Sequence, residues 1–449
     1  MNEPEPVAAS ERSRRRFLIA VVLSAAAAVV LGLLRIGRQS FWLDELVSAQ
    51  IAGSSWSHAW SAATGHELHS GAYHLVSWQW VRVMGDSEAA LRSMSVVFGA
   101  ATVVVLMLLA RKLFSMRVAL LAAPLFLVHA QTIHYFQEAR TYSLAMLAGT
   151  TATLVLTWAL DEPDSNRRWM IYGAVAGAAT YGHLFVWFVI ASHVVTVVIT
   201  RSLPSRAAFV RAALLFGVIV APLVLFTTKG YGNVDWIPST TVAAVRDASV
   251  LIVLGGGRFA WMLPLGLLLA WRVWIARSNP ADWRSIAMVT TWLVVPFVLA
   301  VAVSVGKPLF IAYYLNVCVP AAALIVAAAI DAVLSRSRSL ALLCLLVLLL
   351  HNGRYLVDWY RGQPAKDDYR SAVAFACNAS RPNGAVRFGL ELGSAVYYET
   401  PECSSSAQPD QVFVVVRTGD PVPDIPGYWA QSVKIFTGLH VVRFVPLGI

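Results

Sequence analysis

The chain has 449 residues, of which 58% are hydrophobic and 13% charged. That balance excludes a soluble protein of any class and fits a polytopic membrane protein. The formal net charge of +10 does not point to nucleic acid, because the arginines stand singly or in twos and threes between apolar runs, as topology signals do.

In chain order, residues 1–16 form a short basic tail, Arg14 to Arg16 at its end. Apolar runs follow at 17–34, 93–110, 118–133, 141–160, 169–182, 183–200, 208–228, 258–275, 285–304, 311–332 and 339–356. Each has a length suited to a helix crossing a hydrocarbon core of about 30 Å. The expectation is an all-α membrane module over 17–356 with about 11 spans. Residues 169–200 are short for two crossings and long for one, and Gly173, Gly177 and Gly182 mark close packing or a turn there. Charge favours two crossings. With a cytoplasmic N-terminus, Arg14 to Arg16, Arg111-Lys112, Arg167-Arg168, Arg201, Arg272 and Arg336 then share one side. The first span is read as retained, because its apolar stretch exceeds a signal-peptide core and cleavage would invert the charge pattern.

The long loop 35–90 falls on the outer face, and loops of that size are seldom kept without work to do. Trp56 and Trp60, at i and i+4, predict a short interfacial helix, and a second helix is expected from about 71 to 84 through Tyr73, Trp78 and Trp80. From 357 to 449 the composition turns polar. Helix-like pattern at Asp368 to Cys377 and strand-like runs at Val386 to Leu390, Val412 to Val416 and Val441 to Val445 predict a small α/β extracytoplasmic domain. Cys318 and Cys344 lie in spans as packed thiols, whereas Cys377 and Cys403 lie in the outer tail, where a disulfide between them is expected.

Phe41-Trp42-Leu43-Asp44-Glu45 puts two carboxylates where water meets lipid. Acids at that depth persist when they are paired, sit in a wet cavity or do chemistry. Asp44 is the candidate general base, able to take a proton from an attacking hydroxyl. Glu45 is a candidate substrate contact. The competing reading has one of the pair capping a helix or pairing with Arg38.

His66-Glu67-Leu68-His69, with His58 and His74, lacks the spacing of the HExxH zinc motif, since its histidines are three apart. His69 is read as a substrate contact. No cofactor or metal ligand set is indicated, and a divalent metal stays open.

At His134-Tyr135-Phe136-Gln137-Glu138-Ala139-Arg140-Thr141-Tyr142, Glu138 and Arg140 lie close to the bilayer, a costly place unless they neutralise each other or match a ligand. Arg140 suits a lipid-linked phosphate through its planar fork. Glu138 reads equally as a sugar contact and as a structural ion pair. Arg258, after Gly255-Gly256-Gly257, and Lys307, before Pro308, face the same side. The glycine run lacks the Lys and Ser/Thr of a P-loop and reads as a flexible turn. His183 follows Tyr181-Gly182 near the end of its span.

Together FWLDE at 41, HSGAYHL at 69, SEAALRSMSVVFGA at 87, FQEARTYSL at 136, YGHLF at 181 and VGKPLFIAYYLNVCVP at 305 resemble the integral-membrane glycosyltransferases of the GT-C superfamily, in the group similar to protein O-mannosyltransferases and aminoarabinose transferases. The resemblance implies a multi-pass plasma-membrane enzyme that transfers a sugar, mannose on family grounds, from a polyprenyl-phosphate donor to a hydroxyl on the extracytoplasmic face, with inversion. The acceptor is a lipid, glycan or protein. Asp44 then takes the position of the base, Arg140, Lys307 and Arg258 those of donor-phosphate ligands, and Glu45, His69, Tyr73, Glu138, His183 and Tyr314 those of substrate contacts. Two departures stand out. Relatives place Arg-Tyr where this chain has Tyr313-Tyr314, and the Pro-Leu that follows the family histidine is absent after His69. The rival class is a lipid or sugar transporter or flippase. Transporters gather charge at mid-membrane on broken helices, whereas here it gathers at one face. A scaffold role is the third alternative.

Overall fold

The computed structural model describes residues 5–65, 67–227, 237–361, 366–389, 397–399, 403 and 409–447. Its helices are α1 Glu5–Leu33, α2 Leu43–Gly53, α3 Trp56–Thr64, α4 Gly71–Met84, α5 Glu88–Leu113, α6 Met116–Val128, α7 Ala130–Phe136, α8 Tyr142–Leu160, α9 Asn166–Ala179, α10 Val186–Ile199, α11 Arg206–Thr227, α12 Val242–Leu254, α13 Met262–Ala276, α14 Pro280–Ser304, α15 Val319–Leu334, α16 Arg338–Arg361 and α17 Tyr369–Ala379. Short 3₁₀ turns stand at Leu68–Ser70, Phe259–Trp261 and Ala312–Cys318. The chain divides into two compact units. One comprises Met1–Leu34, Trp60–Leu75 and Ser93–Tyr360, the other Arg35–Ala59, Val76–Arg92 and Arg361–Ile449.

The larger unit is helical and apolar. Each expected span coincides with a helix. Eight of these helices are long and apolar enough to cross a membrane, or nine if the pair α6 and α7, bent by 66°, makes one crossing. The remaining two, α9 and α10, have 14 residues each, about 21 Å of helix at 1.5 Å per residue. The number of crossings therefore turns on this short pair and on the bent one. At the bend, Gln131 N–H donates to His129 Nδ1 at 3.3 Å, so His129 caps the new helix.

Helix α15 sits at the centre, apolar all round and buried along nearly its whole length. Helices α11, α13 and α16 instead carry their leucines and valines outward, as lipid-facing helices do. Small residues allow close approach between helices. A Cβ at Gly173 would collide with the Ala212 backbone on α11, and one at Gly177 would lie 3.0 Å from Ile219. Polar side chains bridge helices too. His193 on α10 holds Thr153 on α8 and Tyr172 on α9, both at 3.0 Å.

In the smaller unit a four-stranded sheet carries α17. Its strands are β1 Gly384–Phe388, β2 Gln411–Arg417, β3 Tyr428–Phe436 and β4 Leu439–Pro446, in the order β1-β2-β4-β3. β1 and β2 are parallel, and the other pairs are antiparallel. Central β2 alternates Val412, Val414 and Val416 into a cluster with Ile425, Val442 and Phe444. Asp368 caps α17 by accepting the Ser371 N–H at 3.1 Å. A disulfide joins Cys377 on α17 to Cys403. Two strands, β2 and β4, contain the expected runs, and β1 overlaps the third at Val386 to Phe388, since Gly389 follows the strand and Leu390 lies outside the described residues. β3 was not expected. It is an exposed edge strand whose residues show no buried face, so period-2 hydrophobicity is missing from it.

Candidate functional site

In the larger unit, the turn between α7 and α8 carries Glu138 and Arg140, and its frame is locked. Gln137 Nε2 donates to the carbonyls of Gly32 at 2.9 Å and Leu34 at 2.8 Å, while its Oε1 accepts Trp359 Nε1–H at 2.8 Å. Ser95 Oγ donates to the Glu138 carbonyl at 2.6 Å, and Ser143 Oγ to that of Tyr135 at 2.8 Å. A backbone tied at so many points presents its side chains in one geometry.

Arg140 is 6% exposed. Its Nη1 stands 3.6 Å from Glu67 Oε2, and its Nη2 3.4 Å from His69 Nε2. Glu67 Oε2 also lies 3.1 Å from His74 Nε2 and accepts from Ser70 Oγ at 3.1 Å. Burial raises the Glu67 carboxyl. Arg140, the His74 hydrogen bond and the charges of His69 and His74 outweigh it, leaving Glu67 below the usual carboxylate range. The Glu67 carboxylate that faces Arg140 is thereby shared with His69 and His74.

Rings extend this cluster. The His69 and His183 centroids are 6.1 Å apart, and His183 lies 5.1 Å from Tyr314 and 6.0 Å from Tyr142. Tyr313 packs 5.5 Å from Tyr142. His183 Nδ1 accepts the Phe185 N–H at 3.1 Å, and its Nε2 has no hydrogen-bond partner among the described residues. Tyr73 is buried with its ring 5.8 Å from His74. Glu138, also buried, pairs with His134 at 3.2 Å, and the His134 ring rests 4.5 Å from Trp359.

The other two expected cations are exposed. Lys307 is exposed in the turn after α14. Arg258 is exposed beside a cavity of 620 Å³ whose wall includes Arg246, Leu251, Phe259 and Phe310. The three glycines before Arg258 have φ of 78°, 122° and 106°, a run that non-glycine residues do not tolerate. This loop is held, since His351 Nε2 lies 3.0 Å from the Gly256 carbonyl.

In the smaller unit, Asp44 and Glu45 occupy the first turn of α2, where the positive end of the helix favours acid. Asp44 is half-buried. Glu45 is fully buried and reaches back to the Trp42 N–H at 3.4 Å. Its Oε1 accepts Arg92 Nε–H at 2.8 Å, and its Oε2 accepts from Arg92 Nη2 at 2.7 Å and Lys366 Nζ at 3.1 Å. Glu45 is therefore tied to Arg92 and Lys366 as an anchor for α2, and Asp44 next to it is partly exposed. Arg92 further donates to the carbonyls of Ile36, Gln39 and Ser40.

The profile of the dolichyl-phosphate-mannose-protein mannosyltransferase family matches residues 72–226. The apo crystal structure of ArnT from Cupriavidus metallidurans aligns over 94% of this chain and 97% of its own, at 15% identity and a TM-score of 0.61. The fold of this chain is similar to that of ArnT. The same ArnT bound to undecaprenyl phosphate aligns with equal coverage and identity and a TM-score of 0.59. A further similar structure, the archaeal oligosaccharyltransferase AglB from Archaeoglobus fulgidus in complex with an inhibitory peptide and a dolichol-phosphate, covers 87% of this chain and 64% of its own, with 12% identity and a TM-score of 0.56. No curated protein sequence matches significantly.

Within this chain, His69, Arg140, His183 and Tyr314 come together, whereas Arg258 and Lys307 make no ion pair or side-chain hydrogen bond among the described residues. Sequence reading weighed Glu67 and His74 only as metal ligands. Among the described residues no group of three or more His, Cys, Asp or Glu is arranged to hold a metal, and His66 lies outside them. Tyr142 and Arg92 stood inside the motif runs without a role, and Lys366, Arg370 and Tyr398 gave no signal at all.

Proposed function

We propose that this chain is a membrane glycosyltransferase that moves a sugar from a polyprenyl-phosphate donor to an acceptor hydroxyl. The active site faces the extracytoplasmic side of the plasma membrane, with the N-terminus in the cytoplasm. The acceptor oxygen attacks the anomeric carbon and its proton passes to the Asp44 carboxylate. The bond from that carbon to the phosphate oxygen breaks with its electron pair, and polyprenyl phosphate leaves. Attack from the face opposite the leaving group inverts the anomeric centre.

Charge grows on the phosphate as that bond breaks, and a cation fixed in a site of low dielectric stabilises it more than water does. Arg140 has that role, with Lys307 and Arg258 as further donor-phosphate ligands. His69, Tyr73, His183, Tyr314 and Glu138 line the sugar and acceptor. Mannose is the sugar favoured by the matching family profile.

The single observation that carries the reading is Arg140, a buried cation, 6% exposed, set in a cluster with Glu67, His69 and His183, in a chain whose fold matches ArnT bound to undecaprenyl phosphate. Purified protein offered a panel of polyprenyl-phosphate sugars together with membrane lipid extract is expected to consume one of them. Asp44→Asn abolishes that turnover and leaves donor binding intact. Unchanged turnover in Asp44→Asn removes the base assignment, and failure of every donor moves the reading to lipid transport.

A further inference from the structure

The segment before Asp44 is gripped from residues more than three hundred positions further along the chain, all within the smaller unit. Arg370 Nη2 donates to the carbonyls of Gly37 at 3.1 Å and Gln39 at 3.3 Å, and the Arg370 N–H donates to Ser40 Oγ at 3.2 Å. The Tyr398 hydroxyl accepts the Phe41 N–H at 2.7 Å and lies 3.2 Å from Ser40 Oγ. The same hydroxyl donates to Glu88, which Arg370 also holds. Lys366 binds Glu45, the residue next to Asp44, and packs 5.9 Å over the Trp42 ring.

This arrangement exceeds what holding a loop requires. A solvent-facing loop leaves its carbonyls to water, yet here the acceptors of Gly37, Gln39, Ser40 and Glu45 and the Phe41 N–H are taken by side chains. The charge pattern is also directed. Glu45, Arg92 and Lys366 sum to one surplus positive charge, held buried around Glu45, the residue that follows Asp44.

We propose that Lys366, Arg370 and Tyr398 are positioning residues of the transfer reaction. They fix residues 36–45 so that the Asp44 carboxylate stays ionised and aimed at the acceptor hydroxyl. The segment after the last span is then part of the catalytic machinery rather than an appended domain. The inference rests on Asp44 being the base.

The test uses the full-length protein in lipid nanodiscs, with the donor consumed by the parent and membrane lipid extract as acceptor. Hydrogen exchange reads the clamp without chemistry. Tyr398→Phe and Arg370→Met are expected to speed exchange of the amides in 36–45, with α17 unchanged. Kinetics read the consequence. Each variant lowers kcat by about 10- to 100-fold, the cost of misplacing a reacting group by about an ångström, with the donor KM within about twofold.

Lys366→Met also moves the acid limb of the kcat profile to higher pH, because a cation near Asp44 is lost, and Lys366→Arg restores it. Misfolding alone would lower the amplitude without moving that limb. The other titratable groups near this position, Glu45, Arg92 and Tyr369, are unchanged by the substitution. In an Asp44→Asn background Lys366→Met adds no further loss.

Unaltered exchange in 36–45, or an unmoved acid limb with kcat intact while Asp44→Asn is inactive, overturns the positioning role and leaves the base in place. Full activity in Asp44→Asn overturns both.

Discussion

Replacing Arg92 with methionine sets the largest single cost that the structure predicts. The guanidinium donates twice to the buried Glu45 carboxylate and once each to the carbonyls of Ile36, Gln39 and Ser40. Methionine fills similar volume and removes all five donors. Breaking a buried ion pair by deleting one partner costs about 3–5 kcal/mol, because the remaining charge stays desolvated. Each abandoned carbonyl adds up to about 1–3 kcal/mol. These do not sum, since Gln39 keeps Arg370 and Glu45 keeps Lys366. A loss of about 3–5 kcal/mol is therefore the working figure.

At roughly 2–4 °C per kcal/mol, that loss lowers the unfolding temperature by about 6–20 °C. The assay is thermal unfolding in detergent at a fixed scan rate, since membrane proteins unfold irreversibly and the scan rate enters the midpoint. Lys112→Met supplies the contrast. Its ion pair with Asp161 lies at the surface, with the side chains 31% and 38% exposed, and exposed pairs contribute about 0–1 kcal/mol. Arg92→Lys keeps the charge without the fork and should fall between the two. An Arg92→Met midpoint no lower than that of Lys112→Met would refute the anchor.

Two further outcomes follow from the same geometry. Because the Glu67 carboxyl lies below the usual carboxylate value of about 4.3, its contribution to stability is complete above that pH and is lost as pH falls through the depressed folded value. Glu67→Gln should therefore flatten the fall of the unfolding midpoint between pH about 4.3 and 3, and a slope equal to the parent's would show that Arg140 does not hold this carboxylate. Opening the disulfide between Cys377 and Cys403, separated by 26 residues, should cost about 3–4 kcal/mol by chain entropy. Dithiothreitol would then speed proteolysis of the segment after residue 366 and leave the larger unit intact, whereas equal cleavage rates with and without reductant would count against it.

The sequence by itself determined the membrane class, the long apolar helices and most of the sheet, because apolar runs of span length and period-2 valines are local signals, whereas α2, α12 and the break between α6 and α7 were not expected. It also placed Asp44 and Arg140 in segments where charge is costly, the clue that singled them out. Partnership was beyond it. Glu45 and Asp44 are neighbours of the same chemistry, yet Arg92 and Lys366 take one fully into the interior while the other stays partly exposed, and only pairing between distant segments separates them. Glu67 meets Arg140 for the same reason, across an interval that no local pattern encodes. β3 was missed because an exposed edge strand is specified by its ladder with β4, not by an apolar face of its own.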